Sequence, residues 1–172
     1  MPLRTERLIL DIWQSSDWTV FRPMAEDSEV MRYITGGVAW SEEQIRRFVN
    51  RQMELYAERG FCRWRVLNAA SGEFMGFCGV GFWGDGLEPE IGWWLARQHW
   101  GRGFATEAAR CALGDIFERV RLERIVSVAM VGNSASRRVM EKLGLRFERE
   151  FDGESARLVR YAISREEWEA RG

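Results

Sequence analysis

The chain has 172 residues, 46% apolar and 30% charged, with 25 basic against 26 acidic side chains and a net charge of −1. That is one domain's length with a globular composition, spanning residues 1–172 as a single unit, and its charge balance argues against nucleic-acid or polybasic membrane binding as the main role. One histidine, His99, and one lysine, Lys142, exclude multi-histidine metal sites and a Gly-Lys-Ser/Thr phosphate loop.

Leu8 to Trp13 reads as a short strand, after which Asp17 can cap one helix and Asp27 or Ser28 a second that ends near Ile34. Gly36-Gly37 breaks the pattern. Ser41 and Gln44 form a capping box that opens a helix carrying Ile45, Phe48, Val49 and Leu55, stopped by Gly60. Alternation predicts a strand near 61–68, a second over 73–83 and a third from Glu88 to Leu95, with turns at Ser71-Gly72 and Gly84-Asp-Gly86. Gly92 inside the third strand points to a bulge or a close backbone contact. A glycine-rich turn at 101–103 leads into a helix over 104–120, followed by a buried strand from Arg124 to Met130. Asn133 to Leu143 reads as a helix closed by Gly144. Residues 146–151 and 157–163 make a hairpin through Asp152-Gly153, and Ser164 and Glu167 form a second capping box under Trp168.

The three cysteines, Cys62, Cys78 and Cys111, include no Cys-x-x-Cys pair and read as reduced thiols. The N-terminus carries no apolar signal core, and no run approaches the roughly 20 apolar residues of a membrane span, so the expectation is a cytoplasmic protein.

Three segments carry chemistry. Gln98-His-Trp-Gly101-Arg-Gly103-Phe-Ala105-Thr106 follows a strand and opens a helix. Glycines let backbone approach a ligand, and a helix start offers unpaired N–H groups and partial positive charge, which together suit a phosphate or pyrophosphate. A tight turn with no ligand is the alternative reading, and Thr106 stands where a dinucleotide fingerprint wants its third glycine. In Glu90-Ile-Gly-Trp-Trp-Leu95, a splayed strand end would leave N–H and C=O groups for an amide-bearing ligand, while Trp93 and Trp94 face opposite sides. The alternative there is a core strand with two packed tryptophans. Asn133-Ser-Ala-Ser136 either begins a helix and does nothing more, or sets Asn133 against a ligand amide and Ser136 against a leaving group.

Together, in this order and spacing, these segments resemble the GNAT superfamily of N-acetyltransferases, most closely its RimJ/RimL-like branch. The resemblance covers nearly the whole chain, from Thr5-Glu-Arg-Leu-Ile-Leu10 through the three segments and Glu141-Lys-Leu-Gly144 to Tyr161-Ala-Ile-Ser-Arg-Glu-Glu-Trp168. It implies an α/β fold with a strongly bent mixed sheet flanked by helices. It implies acetyl-CoA as co-substrate, held in a V-shaped split between two parallel central strands, and no metal. Backbone around Trp93, Trp94 and Leu95 would then pair with the pantetheine arm. The segment Gln98, Gly101, Arg102, Gly103, Phe104, Ala105 and Thr106 would hold the pyrophosphate, and Asn133 would meet the pantetheine near its reacting end. Arg138 reads either as a phosphate or adenine contact or as a surface arginine.

Many members carry a tyrosine seven residues after the asparagine as acid toward the thiolate. Here that position is Met140, so the resemblance shifts the role to Ser136. An amine attacks only when neutral, so a base is needed. Glu90 is the candidate and Glu88 the runner-up, with an anchoring or ion-pairing role for Glu90 as the alternative. His99 reads as a solvated loop side chain. Trp40 and Trp83 are candidates for an aromatic acceptor wall, and Asp85 and Glu88 for attracting a cationic amine. The acceptor would be a primary amine: a protein N-terminus, an amino acid or a small molecule. A non-catalytic acyl-CoA-binding domain and an enzyme using another acyl-CoA are the alternatives. Homodimers are common in this branch.

Overall fold

The computed structural model describes residues 1–83, 86 and 88–171, with Trp83 described by its backbone alone. Eight strands form one sheet: β1 (Leu3–Arg4), β2 (Leu8–Asp11), β3 (Arg63–Asn68), β4 (Phe74–Trp83), β5 (Glu88–Leu95), β6 (Arg124–Met130), β7 (Arg146–Asp152) and β8 (Arg157–Ser164). Their order across the sheet is β1-β2-β3-β4-β5-β6-β8-β7, and every neighbouring pair is antiparallel except β5 and β6. The expected turn at residues 84–86, with Asp85, and the Trp83 side chain lie outside the described residues.

The helices are α1 (Trp18–Glu26), α2 (Ser28–Met31), α3 (Glu42–Arg59), α4 (Phe104–Asp115), α5 (Ser134–Leu143) and α6 (Arg165–Glu169). Local chemistry sets their ends. Ser41 and Gln44 complete the expected capping box on α3, Ser164 and Glu167 do the same on α6, and Asp27 caps α2 by accepting from the Glu29 N–H. Gly60 and Gly144 end α3 and α5 in left-handed backbone, at φ 74° and 86°. Asp17 sits at the start of α1 but makes no cap bond there. Its carboxylate accepts from the Gln14 N–H at 2.6 Å and pairs with Arg65, tying the first helix to the sheet.

Strand periodicity of two sorts the core into two layers. On one face, the cross-strand partners Phe77 and Trp94 meet Phe21 of α1 and Phe48 of α3, with ring centroids 4.8–6.4 Å apart. On the other face α4 packs on β4 and β5, bringing Cys111 near Cys78. The helix expected over 104–120 keeps α geometry only to Asp115. Residues Ile116–Val120 form a π turn that ends at Arg121 in left-handed backbone. The wider turn lets the adjacent Ile116 and Phe117 both face inward, while Asp115 and the Gly60 carbonyl anchor Arg119 across it.

Candidate active site

The parallel pair at the centre of the sheet touches at one rung, Glu90 opposite Val126. Just above it the buried Ser127 hydroxyl donates to the Ile91 carbonyl at 3.0 Å, and beyond that the strands part. The direction of the free backbone groups follows from the antiparallel β4–β5 ladder. The Ala96 N–H donates to the Met75 carbonyl, so by alternation Trp94 exchanges bonds with Phe77, and Trp93 and Leu95 turn their N–H and C=O toward β6. The Leu95 carbonyl accepts from Trp100 Nε1 at 2.8 Å. The N–H and C=O of Trp93 and the N–H of Leu95 therefore point into the fork. The Trp94 backbone is turned to β4, and its ring joins the aromatic cluster, where Trp40 packs on it at 4.8 Å. Gly92 sits in an unbroken ladder and not in a bulge. Arg63 runs beside it, with Nε 3.5 Å from where a Cβ would be, an ordinary contact distance.

The glycine turn stands at the mouth of this fork. Arg97–His99 make one 3₁₀ turn, with Gln98 exposed, and Gly101 and Gly103 follow in left-handed backbone at φ 70° and 79°. Gly103 is the N-cap of α4 and supplies no side chain, so the first N–H groups of the helix have no side-chain cap. A Cβ at Gly101 would meet nothing within 4 Å: the turn opens onto free space. Beside it, along α4, lies a cleft of about 600 Å³ whose walls include Arg4, Gly103, Thr106, Arg110 and Lys142.

A clamp from the N-terminal strands holds this turn. Glu107 accepts from Thr5 Oγ1 at 2.6 Å, from the Arg7 N–H at 3.2 Å and from Arg7 Nε at 2.7 Å. Arg7 Nη1 in turn donates to the Arg102 carbonyl at 3.1 Å, and its guanidinium lies over the Phe104 ring. Partial burial works against the Glu107 charge, but the bonds from Thr5 and Arg7 outweigh it and hold the carboxyl below its ordinary range. Sequence reading did not find Thr5 and Arg7 as a clamp, because the contact spans about a hundred residues.

His99 is not solvated, contrary to expectation. It is 5% exposed, edge-on to Phe104, with Nε2 3.3 Å from Glu73 Oε1, so it packs behind the glycine turn. Its neighbours Gln98 and Trp100 stay exposed, so the ring alone turns inward from the segment, against the buried Phe104.

Asn133 and Ser136 stand at the end of β6, across the fork from the glycine turn. Asn133 is the N-cap of α5, and its Oδ1 accepts from the Ser136 N–H at 3.1 Å, which leaves the carboxamide N–H groups available. Ser136 is half-buried. Met140 is 1% exposed and belongs to the core, and Arg138 is on the surface.

Glu90 is 7% exposed at the last rung of the fork. Burial pushes its carboxyl above the ordinary range; the Arg63 guanidinium, which forms an ion pair with it, and the Val128 backbone pull the other way without cancelling the effect. Glu88 is committed elsewhere: Arg160 grips both its oxygens at 2.6 Å, and Arg124 adds a third bond at 3.2 Å. Of the two candidate bases, then, Glu90 alone borders the fork. The structure joins Glu90, the free groups of Trp93 and Leu95, the uncapped α4 start and the Asn133/Ser136 turn around one split, at the carboxyl ends of two parallel strands, where α/β sheets bind ligands.

The acetyltransferase (GNAT) domain family matches residues 7–146. An uncharacterized N-acetyltransferase, YnaD of Bacillus subtilis, is 32% identical over 98% of this chain and 99% of its own. A crystal structure of a GNAT-family acetyltransferase from Bacillus anthracis superposes with a TM-score of 0.83 at 31% identity, covering 97% of this chain and all of the other. The fold is also that of RimL, a ribosomal L7/L12 α-N-protein acetyltransferase solved in complex with coenzyme A: TM-score 0.80, 16% identity, 95% of this chain and 98% of the other.

Proposed function

Because the chain belongs to the GNAT acetyltransferase family, we propose that it transfers the acetyl group of acetyl-CoA to a primary amine by direct attack in a ternary complex. The observation that carries this reading is the single-rung fork between β5 and β6, with the uncapped start of α4 at its mouth. Trp93 and Leu95 offer backbone groups to the two amides of a pantetheine arm, as an added strand would use them. The amides from Gly101 through Thr106 suit the pyrophosphate, with Gln98 and Arg102 at the rim. Asn133 serves the pantetheine near its sulfur through its free carboxamide N–H groups. The residues fit the coenzyme on geometry: the turn has open space where a phosphate would sit.

The acceptor nitrogen attacks the thioester carbonyl carbon. The attacking amine is neutral; the C–N bond forms, the C–S bond breaks with its electron pair going to sulfur, and the nitrogen, cationic once bonded to the carbonyl carbon, loses one proton. Glu90 takes that proton, and its raised carboxyl range makes it a stronger base than an exposed glutamate. Ser136 donates a hydrogen bond that steadies the departing thiolate, which is later protonated from water. Met140, buried and without a proton to give, takes no part. Orientation of amine and thioester in the fork supplies much of the rate. The acceptor is a protein N-terminus, an amino acid or a small-molecule amine; RimL, which shares the fold, is a ribosomal L7/L12 α-N-protein acetyltransferase, in keeping with the first of these. Among the described residues no helix is long and apolar enough to cross a membrane. Work in the cytoplasm and a homodimer are parts of the same proposal.

The test is release of free coenzyme A from acetyl-CoA against peptide N-termini, amino acids, polyamines and aminoglycosides. Glu90→Gln is expected to lower kcat by about 10²-fold or more, and Ser136→Ala by a smaller factor, with acetyl-CoA binding kept. Release with neither variant impaired would discard the catalytic pair. Tight acetyl-CoA binding with no acceptor in the panel would favour a binding domain.

A further inference from the structure

On the face of the sheet that carries Glu90, the cross-strand partners Gly79–Gly92 and Gly81–Glu90 form a square of four positions, three of them glycine. Arg63 on β3 is the neighbour of Gly79 and starts beside this square. Its side chain lies over the bare backbone of two strands and ends on Glu90 at the far corner. A Cβ at Gly81 would lie 2.8 Å from Arg63 Nη1 and 2.9 Å from Cζ; one at Gly92 would lie 3.5 Å from Nε and 3.8 Å from Glu90 Oε1. The starting point of the side chain is held as well: the Arg63 N–H donates to Gln52 Oε1 at 3.0 Å, and its carbonyl accepts from Trp13 Nε1 at 2.5 Å. A guanidinium four-fifths buried, carried over a lane of glycines to one carboxylate, is a device for placing that carboxylate.

We propose that Arg63 is the positioning residue of the acceptor side, holding Glu90 ionised at the fork where it takes the acceptor's proton. The inference rests on the assignment of Glu90 as base. No other charged side chain of the described residues pairs with Glu90. On β3 the next residue of the same face, Arg65, is tied to Asp11 and Asp17. From α3 the facing group is the neutral Gln52. From β6 and β8, Arg124 and Arg160 are spent on Glu88 and Glu148. The thiols of Cys62 and Cys78, which also feel Arg63, are driven toward the neutral form by burial. Among the described residues Arg63 is thus the one cation that offsets the burial of Glu90, and without it the carboxyl would hold its proton to higher pH.

The experiment is the pH profile of kcat/KM for the best acceptor, with acetyl-CoA affinity measured in parallel, for the wild type, Glu90→Gln, Arg63→Met, Arg63→Lys and Gly81→Ala. In Arg63→Met the ascending limb is expected to move up by about one pH unit or more, the scale of losing a neighbouring opposite charge. Arg63→Lys is expected to return part of that shift. Gly81→Ala keeps every charge but pushes the guanidinium aside, so it should move the same limb in the same direction, and it carries the test if Arg63→Met fails to fold. A limb that stays in place in both Arg63→Met and Gly81→Ala, while Glu90→Gln abolishes it, overturns this inference alone. A limb that survives in Glu90→Gln overturns the base assignment and this inference with it.

Discussion

Glu107→Gln should loosen the glycine turn without altering any residue of the turn itself, to which the proposed function assigns the pyrophosphate. The wild-type carboxylate accepts from the Thr5 hydroxyl, from the Arg7 N–H and from the Arg7 guanidinium, and that guanidinium carries the Arg102 carbonyl. Arg7 is 45% exposed, so its ion pair contributes no more than about 1 kcal/mol. The two further bonds to a charged acceptor bring the total loss to about 2 kcal/mol, since the neutral amide keeps weaker versions of them. For a chain of this length that is roughly 4–8 °C in Tm. Acetyl-CoA should bind about fivefold more weakly, the equivalent of about 1 kcal/mol of ordering that the clamp no longer supplies. The sign with pH is set by the depressed carboxyl range of Glu107 in the folded protein. Its contribution is full above the unfolded value, near about 4.3, and is lost as pH falls through the lower folded value. Thermal melts of the two proteins should therefore differ most at neutral pH and converge in strong acid. Equal Tm and equal acetyl-CoA affinity at pH 7 would refute the clamp, and a gap that persists unchanged into strong acid would refute its electrostatic origin.

Two other perturbations test the frame around the site. Asp17→Ala leaves Arg65, 14% exposed, with Asp11 as its remaining acid and removes the bond to the Gln14 N–H; the expected cost is about 3 kcal/mol, read from urea unfolding, and a loss under 1 kcal/mol would contradict it. Among the thiols, burial raises the pKa of Cys62, Cys78 and Cys111 alike, yet only Cys111 is half-buried. With a thiol reagent at pH 8, Cys111 should react first, and Cys62 and Cys78 only after denaturant is added; three equal rates in the native protein would show that the inner pair is reachable.

Local signals were legible from the residues alone. The serine capping boxes, Gly60 and Gly144 as stops, and the glycine turn into α4 act over three or four residues, so their chemistry is complete within the segment. The long reach of Arg63 had a trace too, in an arginine on an alternating strand and three glycines on the two strands after it. That trace has no meaning until the register aligns Arg63 with Gly79 and Gly92. His99 misled because its neighbours in sequence are polar and glycine-rich, whereas its burial comes from Phe104 and the strands behind it.

The amino-acid sequence by itself determined the order of the main elements and the ends that carry a capping box or a left-handed glycine, because caps, periodicity and such glycines are written in adjacent positions; the short β1 and the π turn after Asp115 were not among them. Only the tertiary structure decided which backbone groups face the fork and which carboxylate borders it. Trp93 and Trp94 are neighbours of one residue type, and the ladder with β4 alone turns one toward the split and the other away. Glu88 and Glu90 lie two residues apart on one strand, and only the arginines brought from β3, β6 and β8 separate a carboxylate committed to two guanidiniums from one poised at the last rung. Both distinctions rest on partners 17 to 72 residues distant in the chain, given by the cross-strand register and the Arg160–Glu88 bond.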